Sequence, residues 1–87
     1  MEYWVYMLRC SDNTLYTGIT TNVERRVSEH NSGKGSKYAR SRLPVEPVYR
    51  ELLPDKSSAL KREVAIKRLT REEKLELITE YEKSTVD

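Results

Sequence analysis

The chain has 87 residues, which support one domain and leave no room for a second. Apolar residues make up 37% and charged residues 34%, and the longest apolar run, residues 3–8, is far shorter than the roughly 20 residues that span a bilayer. The single cysteine, Cys10, excludes an intramolecular disulfide and a cysteine-based metal cage. We therefore expect a cytoplasmic protein with no membrane association and no signal peptide.

The net charge of +2 is small, but it is unevenly distributed. Residues 34–42 hold four basic side chains and no acidic one, whereas residues 71–82 hold five glutamates and two basic residues. A basic run is most simply a solvated face, and it indicates polyanion binding only together with further signs.

The first half of the chain predicts a β-hairpin followed by a helix. Residues 3–10 are rich in aromatic and apolar side chains, as in a strand covered on both faces. The polar residues 11–13 predict a turn, and residues 14–20 a second strand. Asn22 is a favourable N-cap for a helix that should end at residues 31–33.

The second half predicts a loop, a strand and two helices. Residues 33–44 form a basic loop containing Gly and Ser, and residues 45–53 a third strand, in which Pro47 indicates an edge position or a late start. Ser57 or Ser58 would cap a helix that ends near residue 69, and Thr70 with Glu73 forms a capping box for a helix to about residue 81.

These elements, in the order β-β-α-β-α-α, predict an α+β fold with a small three-stranded antiparallel sheet flanked by helices. We expect residues 1–82 to form the single domain and residues 83–87 to be a frayed C-terminal tail. Tyr6 and Tyr16 should share one face of the hairpin if the turn has an odd number of residues, as residues 11–13 provide. Either tyrosine taken singly is most simply a core residue, and Gly18 indicates a bulge or a close approach.

Polar residues interrupt the apolar face of the first helix. Val23, Arg26, Val27 and His30 lie at the helical spacing i, i+3, i+4 and i+7, so they share one face. Arg26 and His30 are one turn apart and can point into the same space. The simpler interpretation is an arginine at the edge of the core and a histidine bonded to a backbone carbonyl.

The second helix has a carboxylate on its expected inward side. That side comprises Ala59, Leu60, Glu63, Val64, Ile66 and Lys67. A buried carboxylate is costly unless it is paired or binds a metal. Glu63 therefore either forms an ion pair, with Arg26 or with a nearby lysine, or is a ligand of a hard cation such as Mg²⁺.

Two phenols, a guanidinium, an imidazole and a carboxylate could thus converge beside the sheet. This set suits phosphodiester hydrolysis, because an arginine neutralises the phosphate, a metal acts as Lewis acid, and a phenol or imidazole takes a proton from water.

The same residues resemble the GIY-YIG nuclease family, specifically its short stand-alone bacterial members. The segments 5–7 and 16–18, the helix start at 22–26 with His30, and Glu63 on the later helix follow the family order through about residue 78. The first element is Val-Tyr-Met and lacks the family's glycine, and Ile19 stands where some relatives have a basic residue.

The resemblance implies a metal-dependent endonuclease that hydrolyses DNA, possible selectivity for DNA structure, and a place in DNA repair or processing. Tyr6, Tyr16 and His30 would line the site, and one of them would help to deprotonate the attacking water. Arg26 would stabilise the scissile phosphate, and Glu63 would be the only protein ligand of one Mg²⁺ or Mn²⁺ ion. Arg25 is the less suitable arginine, because it points about 100° away from Arg26 on the helix.

On the same interpretation the basic segment binds DNA. Lys34, Lys37, Arg40 and Arg42 would follow backbone phosphates, and Tyr38 would stack on a base. A protein partner could supply targeting, and the sequence leaves the oligomeric state open. Two alternatives remain: a catalytically inactive nucleic-acid-binding module of the same family, and a scaffold whose inward polar groups pair with each other.

Overall fold

A computed structural model describes residues 1–85 and has a three-stranded sheet between two pairs of helices. The elements in chain order are β1 (Tyr3–Cys10), β2 (Leu15–Thr20), α1 (Val23–Asn31), α2 (Lys37–Arg40), β3 (Val45–Leu53), α3 (Lys56–Lys67) and α4 (Arg71–Ser84). The strand order is β2-β1-β3, and both pairings are antiparallel. The predicted α+β class and three-stranded sheet are therefore confirmed.

The central strand β1 contributes to two separate cores because its alternate side chains point to opposite faces. Val5 and Met7 pack with Ile66 of α3 and Ile78 of α4. On the other face, a second cluster combines side chains of β1, α1, α2 and β3; its buried members are Tyr6, Leu8, Cys10, Val23, Ala39 and Val45. The helix pairs thus cover both faces of the sheet.

The hairpin turn has the odd length that places both tyrosines on one face. The backbone N–H of Cys10 bonds to the Thr14 carbonyl at 2.9 Å, which leaves Ser11, Asp12 and Asn13 in the loop. Asn13 has a positive φ of 69°, as the last residue of a three-residue hairpin loop commonly does. In the resulting register Tyr6 lies opposite Gly18 and Leu8 lies opposite Tyr16.

Pro47 lies in β3, which is an edge strand of the sheet. The register shifts between Met7 and Leu8, which are paired with Tyr49 and Pro47, so Val48 is the extra residue of a bulge. The strand begins at Val45, before the proline, so the edge position predicted from Pro47 is confirmed and the late start is wrong.

The segment between α1 and β3 differs from the predicted loop. Residues Lys37–Arg40 form the one-turn helix α2, capped by the Ser36 hydroxyl, which accepts from the Ala39 N–H at 3.1 Å. Ala39 is fully buried in the second core cluster, and this apolar anchor explains why the segment is ordered as a turn of helix.

Two predictions for α3 are wrong. Its N-cap is Asp55 rather than Ser57 or Ser58, because the Asp55 carboxylate accepts from the Ser58 N–H at 2.7 Å. The inward stripe is 59, 62, 63 and 66, so Glu63 does face inward. Three residues expected on the inward side are instead exposed: Leu60 (42%), Val64 (46%) and Lys67.

The caps of the other helices agree with the sequence. The Asn22 side chain accepts from the Arg25 N–H, and Thr70 with Glu73 forms the expected capping box. Helix α4 continues to Ser84, beyond the predicted end, so the expected frayed tail at 83–87 begins inside the helix; residues 86–87 lie outside the described residues. No helix in the described part of the chain is long and apolar enough to cross a bilayer.

Candidate active site

The candidate site is centred on the Tyr6 phenol of β1. Tyr6 is 1% exposed, and its hydroxyl lies 3.2 Å from Nε2 of His30, which is fully buried on α1. The Tyr16 ring centroid is 6.3 Å from that of Tyr6 and 5.3 Å from that of His30. Three of the five residues expected in the site are therefore packed together on one face of the hairpin.

Gly18 leaves the space that the two phenols occupy. It lies opposite Tyr6 in the strand pairing. A Cβ atom at Gly18 would fall 2.7 Å from the Tyr6 hydroxyl oxygen and 3.2 Å from Cε2 of Tyr16. The close approach expected at this glycine is thus a contact with the two tyrosines.

Arg26 lies one helical turn before His30 and beside Tyr6. Burial is the main influence on both pKa values, raising that of Tyr6 and lowering that of His30, and the positive charge of Arg26 acts to lower both. Nη1 donates to the Glu29 carboxylate at 3.0 Å. A guanidinium has five N–H donors in a planar fork, so pairing with Glu29 leaves donors for a phosphate.

Glu63 brings a negative charge to the same phenol from α3. Its side chain is only 17% exposed, and its charge contributes to raising the pKa of Tyr6. The carboxylate pairs with Lys67 Nζ at 3.4 Å, one turn later on α3, and Arg26 pairs with Glu29 instead. Glu63 on α3 and Arg26 on α1 thus act on the pKa of Tyr6 in opposite directions.

Burial strengthens the preference of the Tyr6 phenol for its neutral form. Burial, followed by the neighbouring Tyr16, raises the pKa of Tyr6 from 10.0 to about 12; Arg26 opposes this rise and Glu63 adds to it. Tyr6 is consequently a neutral phenol near pH 7, and it can act as a base only after another group or a bound cation has favoured its ionised form.

Burial likewise keeps His30 neutral. It lowers the pKa of His30 below 6.5, and the Arg26 charge lowers it further, while Glu29 acts in the opposite direction. Near pH 7 the ring therefore carries one proton, and one of its two nitrogens is an acceptor.

The basic side chains of residues 34–42 differ in whether they are exposed or already contact other side chains. Arg42 donates from Nε to Asp12 at 3.0 Å, and its guanidinium lies 4.0 Å from the centroid of the Tyr38 ring. Tyr38 in turn stacks beside Tyr16 at 6.1 Å. Within the described residues 1–85, Lys34, Lys37 and Arg40 are exposed and form no ion pair, so they are better placed than Arg42 to meet a polyanion.

Several residues around the site were not expected from the sequence. Glu29 pairs with Arg26, and its i+3 spacing on α1 was a signal that could have identified it. Asn31, taken as part of a helix stop, instead bonds through its side chain to both backbone groups of Val45, at 2.8 and 3.0 Å. It thereby ties α1 to β3.

A single carboxylate, that of Glu63, is enough to hold a divalent cation that keeps most of its bound waters. Within residues 1–85, no three His, Cys, Asp or Glu side chains lie close enough together to form a metal cage. Mg²⁺ is commonly held by one or two carboxylates together with waters and substrate phosphates, which a lone, partly exposed carboxylate can match. The Lys67 ammonium, which is 55% exposed, would have to move aside.

Comparison with known proteins agrees with this arrangement. A family model for the GIY-YIG catalytic domain matches residues 2–76, which include all five residues of the candidate site. The fold and the site thus define a nuclease-type catalytic domain, of a class that generally uses divalent metal ions and binds DNA. The chain belongs to the GIY-YIG family.

Similar chains are UPF0213 proteins. One from Staphylococcus haemolyticus is 51% identical over 79 residues, covering 91% of this chain and 96% of its own length. One from Natronomonas pharaonis is 53% identical over 79 residues, covering 91% and 93%. The chain is therefore similar to these relatives over nearly their whole length.

Two solution structures are also similar. A UPF0213 protein from Bacillus halodurans has 43% sequence identity and a TM-score of 0.59, covering 91% of this chain and 84% of that one. A protein from E. faecalis has 39% identity and a TM-score of 0.63, covering 94% and 88%. Both support the same fold.

We expect Gly18→Ala to destabilise the protein by about 1–3 kcal/mol, since the added methyl overlaps a packed ring. Urea unfolding followed by the fluorescence of the single tryptophan, Trp4, measures this loss. In a Tyr6→Phe background the loss should be smaller, because the nearest atom, the hydroxyl oxygen, is absent. Equal losses in the two backgrounds would show that Gly18 does not accommodate Tyr6.

Acidification should destabilise the fold through His30. Its folded pKa is depressed, so its contribution is fully present above the unfolded value of 6.5 and is lost as pH falls through the folded pKa. One proton changes the free energy of unfolding by at most about 1.4 kcal/mol per pH unit. Urea unfolding at pH values from 6.5 to about one unit lower measures the slope.

The matched control for this slope is His30→Gln, which removes the only histidine. The slope should be nearly flat in that variant over the same window, because the carboxyl groups titrate at lower pH. The same slope in both proteins would contradict the assignment of a depressed pKa to His30.

Proposed function

We propose that the protein is a metal-dependent endonuclease that hydrolyses phosphodiester bonds in DNA. The observation that carries this proposal is the packing of His30, at 3.2 Å, and of the Tyr16 ring against the buried Tyr6 phenol, whose pKa also responds to the opposite charges of Arg26 and Glu63. Membership of the GIY-YIG family supports the same reaction class.

Each side chain has a definite task in this proposal. Arg26 would bind the scissile phosphate and stabilise the negative charge that develops on it. Glu63 would hold a Mg²⁺ or Mn²⁺ ion, which when bound supplies Lewis-acid activation of the phosphate and of the attacking water. The general base would be Tyr6, Tyr16 or His30, all of which lie within one cluster.

The exposed cations Lys34, Lys37 and Arg40 would contact DNA phosphates. Contacts of this kind position a duplex or a single strand but carry no direct sequence information. We therefore propose selectivity for DNA structure, in DNA repair or processing. Several points stay predictions: the stacking of Tyr38 on a base, the contact of Arg42 with a phosphate, a protein partner for targeting, the cytoplasmic location, and the single domain over residues 1–82.

An inactive nucleic-acid-binding module is the second candidate. The observation in its favour is that the Glu63 carboxylate is already neutralised by Lys67. In such a module the same residues would bind nucleic acid without a cation.

Cleavage of branched, nicked and single-stranded DNA in Mg²⁺ or Mn²⁺ should be lost in Glu63→Ala, and chelation should stop it. Arg26→Ala should reduce the rate by about 10²–10³-fold, as expected for removal of one transition-state donor. Gel-based cleavage assays with measured binding for every variant provide the test.

Matched controls exist on the same chain. Arg25 is exposed next to Arg26 and bonds to the Thr21 hydroxyl, and Glu80 is an exposed carboxylate on α4; alanine at either should leave the rate unchanged. Cleavage that survives both Glu63→Ala and Arg26→Ala would contradict the proposal. Binding without cleavage in any metal would favour the inactive module, and neither binding nor cleavage would favour a scaffold.

The affinity for DNA should fall steeply with salt, and the basic segment should account for part of this dependence. Alanine at Lys34, Lys37 or Arg40 should each reduce the slope of log K against log salt concentration by about 0.9 on duplex DNA, since each removes one phosphate contact. Fluorescence anisotropy at several salt concentrations gives the slope. Lys83→Ala on the glutamate-rich helix α4 is the control and should leave the slope unchanged; a triple variant with the parent slope would exclude this segment from the interface.

A further inference from the structure

The Nδ1 atom of His30 contacts a backbone group that has no role in the proposed reaction described above. The backbone N–H of Ser36 points at Nδ1 of His30, with 3.4 Å between the two nitrogens. A backbone N–H can only donate, so Nδ1 must be the acceptor in this contact. The ring nitrogen facing Ser36 therefore carries no proton.

The other ring nitrogen must then hold the proton of the neutral ring. His30 is buried, and near pH 7 it carries a single proton because burial lowers its pKa. With Nδ1 occupied as an acceptor, that proton is on Nε2, which lies 3.2 Å from the Tyr6 hydroxyl oxygen. In that tautomer the hydrogen bond would run from His30 to Tyr6, and the hydroxyl proton of Tyr6 would point away from His30.

Gly35 makes this arrangement possible. A Cβ atom at Gly35 would overlap the His30 ring and would lie 2.8 Å from the His30 Cα. Only a residue without a side chain lets the 35–36 backbone approach closely enough to reach Nδ1. The Ser36 side chain has a separate task, because its hydroxyl caps α2 by accepting from the Ala39 N–H.

We propose that the Gly35–Ser36 backbone is a positioning element that holds His30 as the Nε2–H tautomer, so that His30 donates to Tyr6 rather than accepting its proton. In terms of the proposed nuclease function, on which this consequence rests, His30 is then excluded as the general base. An ionised Tyr6 would be stabilised by the Nε2–H group and by the Arg26 charge, which leaves the tyrosines as the proton acceptors.

The tautomer is directly measurable because the chain has only one histidine. Long-range ¹H–¹⁵N correlation spectra of the uniformly labelled protein, at a pH well above 6.5, distinguish a protonated ring nitrogen from an unprotonated one. We expect Nδ1 to be unprotonated and Nε2 protonated. A protonated Nδ1, or an average of the two tautomers, would overturn the proposal whether or not the protein cleaves DNA.

Two substitutions at one position separate the backbone donor from the side chain. Ser36 has a φ of −66°, which proline can adopt, so Ser36→Pro removes the N–H; the ring Cδ replaces the amide hydrogen and pushes the 35–36 backbone away from Nδ1. Ser36→Ala removes only the hydroxyl. The tautomer should be unchanged in Ser36→Ala and should become mixed or reversed in Ser36→Pro. An unchanged tautomer in a folded Ser36→Pro protein would contradict the role of this N–H.

Cleavage by His30 variants gives an independent measurement if the nuclease function holds. The amide of His30→Gln can donate a hydrogen bond but cannot accept a proton, so its loss should be smaller than the 10²–10⁴-fold expected when a general base is removed. His30→Ala, which lacks any donor, should be less active than His30→Gln. Equal losses of about 10²-fold or more in both would show that His30 transfers the proton itself.

Discussion

The hydrogen bond between Tyr6 and His30 is the interaction on which the candidate site depends. Both side chains are buried, so neither polar group can turn to water if the other is lost. An unsatisfied buried group costs about 1–3 kcal/mol, which is a large fraction of the stability of a small domain. The bond joins the central strand to α1, the helix that carries Arg26 one turn before His30.

Features of the turn and of two glycines in other segments of the chain make this bond possible. The three-residue turn puts Gly18 opposite Tyr6, and Tyr16 on the same face. A slip of one residue would turn Tyr16 to the other face, because side chains alternate along a strand. Gly18 leaves room for the phenols on the sheet side, and Gly35 leaves room for the imidazole on the helix side. The two glycines therefore act at opposite ends of one contact, although they lie in unrelated elements.

The sequence predicted those parts that depend on local rules. The odd number of residues in the hairpin turn placed Tyr6 and Tyr16 on one face of the sheet. Helical spacing placed Arg26 and His30 on one face of α1, and the capping box of Thr70 and Glu73 marked the start of α4. The failures involve tertiary contacts. Leu60 and Val64 were expected on the inward side of α3, but the residues of α3 that pack against the sheet are Ala59 and Ile66. The Asp12–Arg42 pair and the Ser36–His30 contact join segments whose approach no local pattern reveals.

The choice between a functional site and a scaffold can be argued from energetics. A chain of 87 residues has a modest core, and here Tyr6 belongs to that core and to the site at once. Replacing both partners of a buried hydrogen bond by apolar groups of the same shape is often neutral or stabilising, so folding alone does not require a phenol bonded to an imidazole. Nor does it require an arginine and a glutamate that influence the pKa of this phenol yet form ion pairs with other residues. Both side chains have a task in the proposed reaction, in which Arg26 would meet an anion and Glu63 a cation.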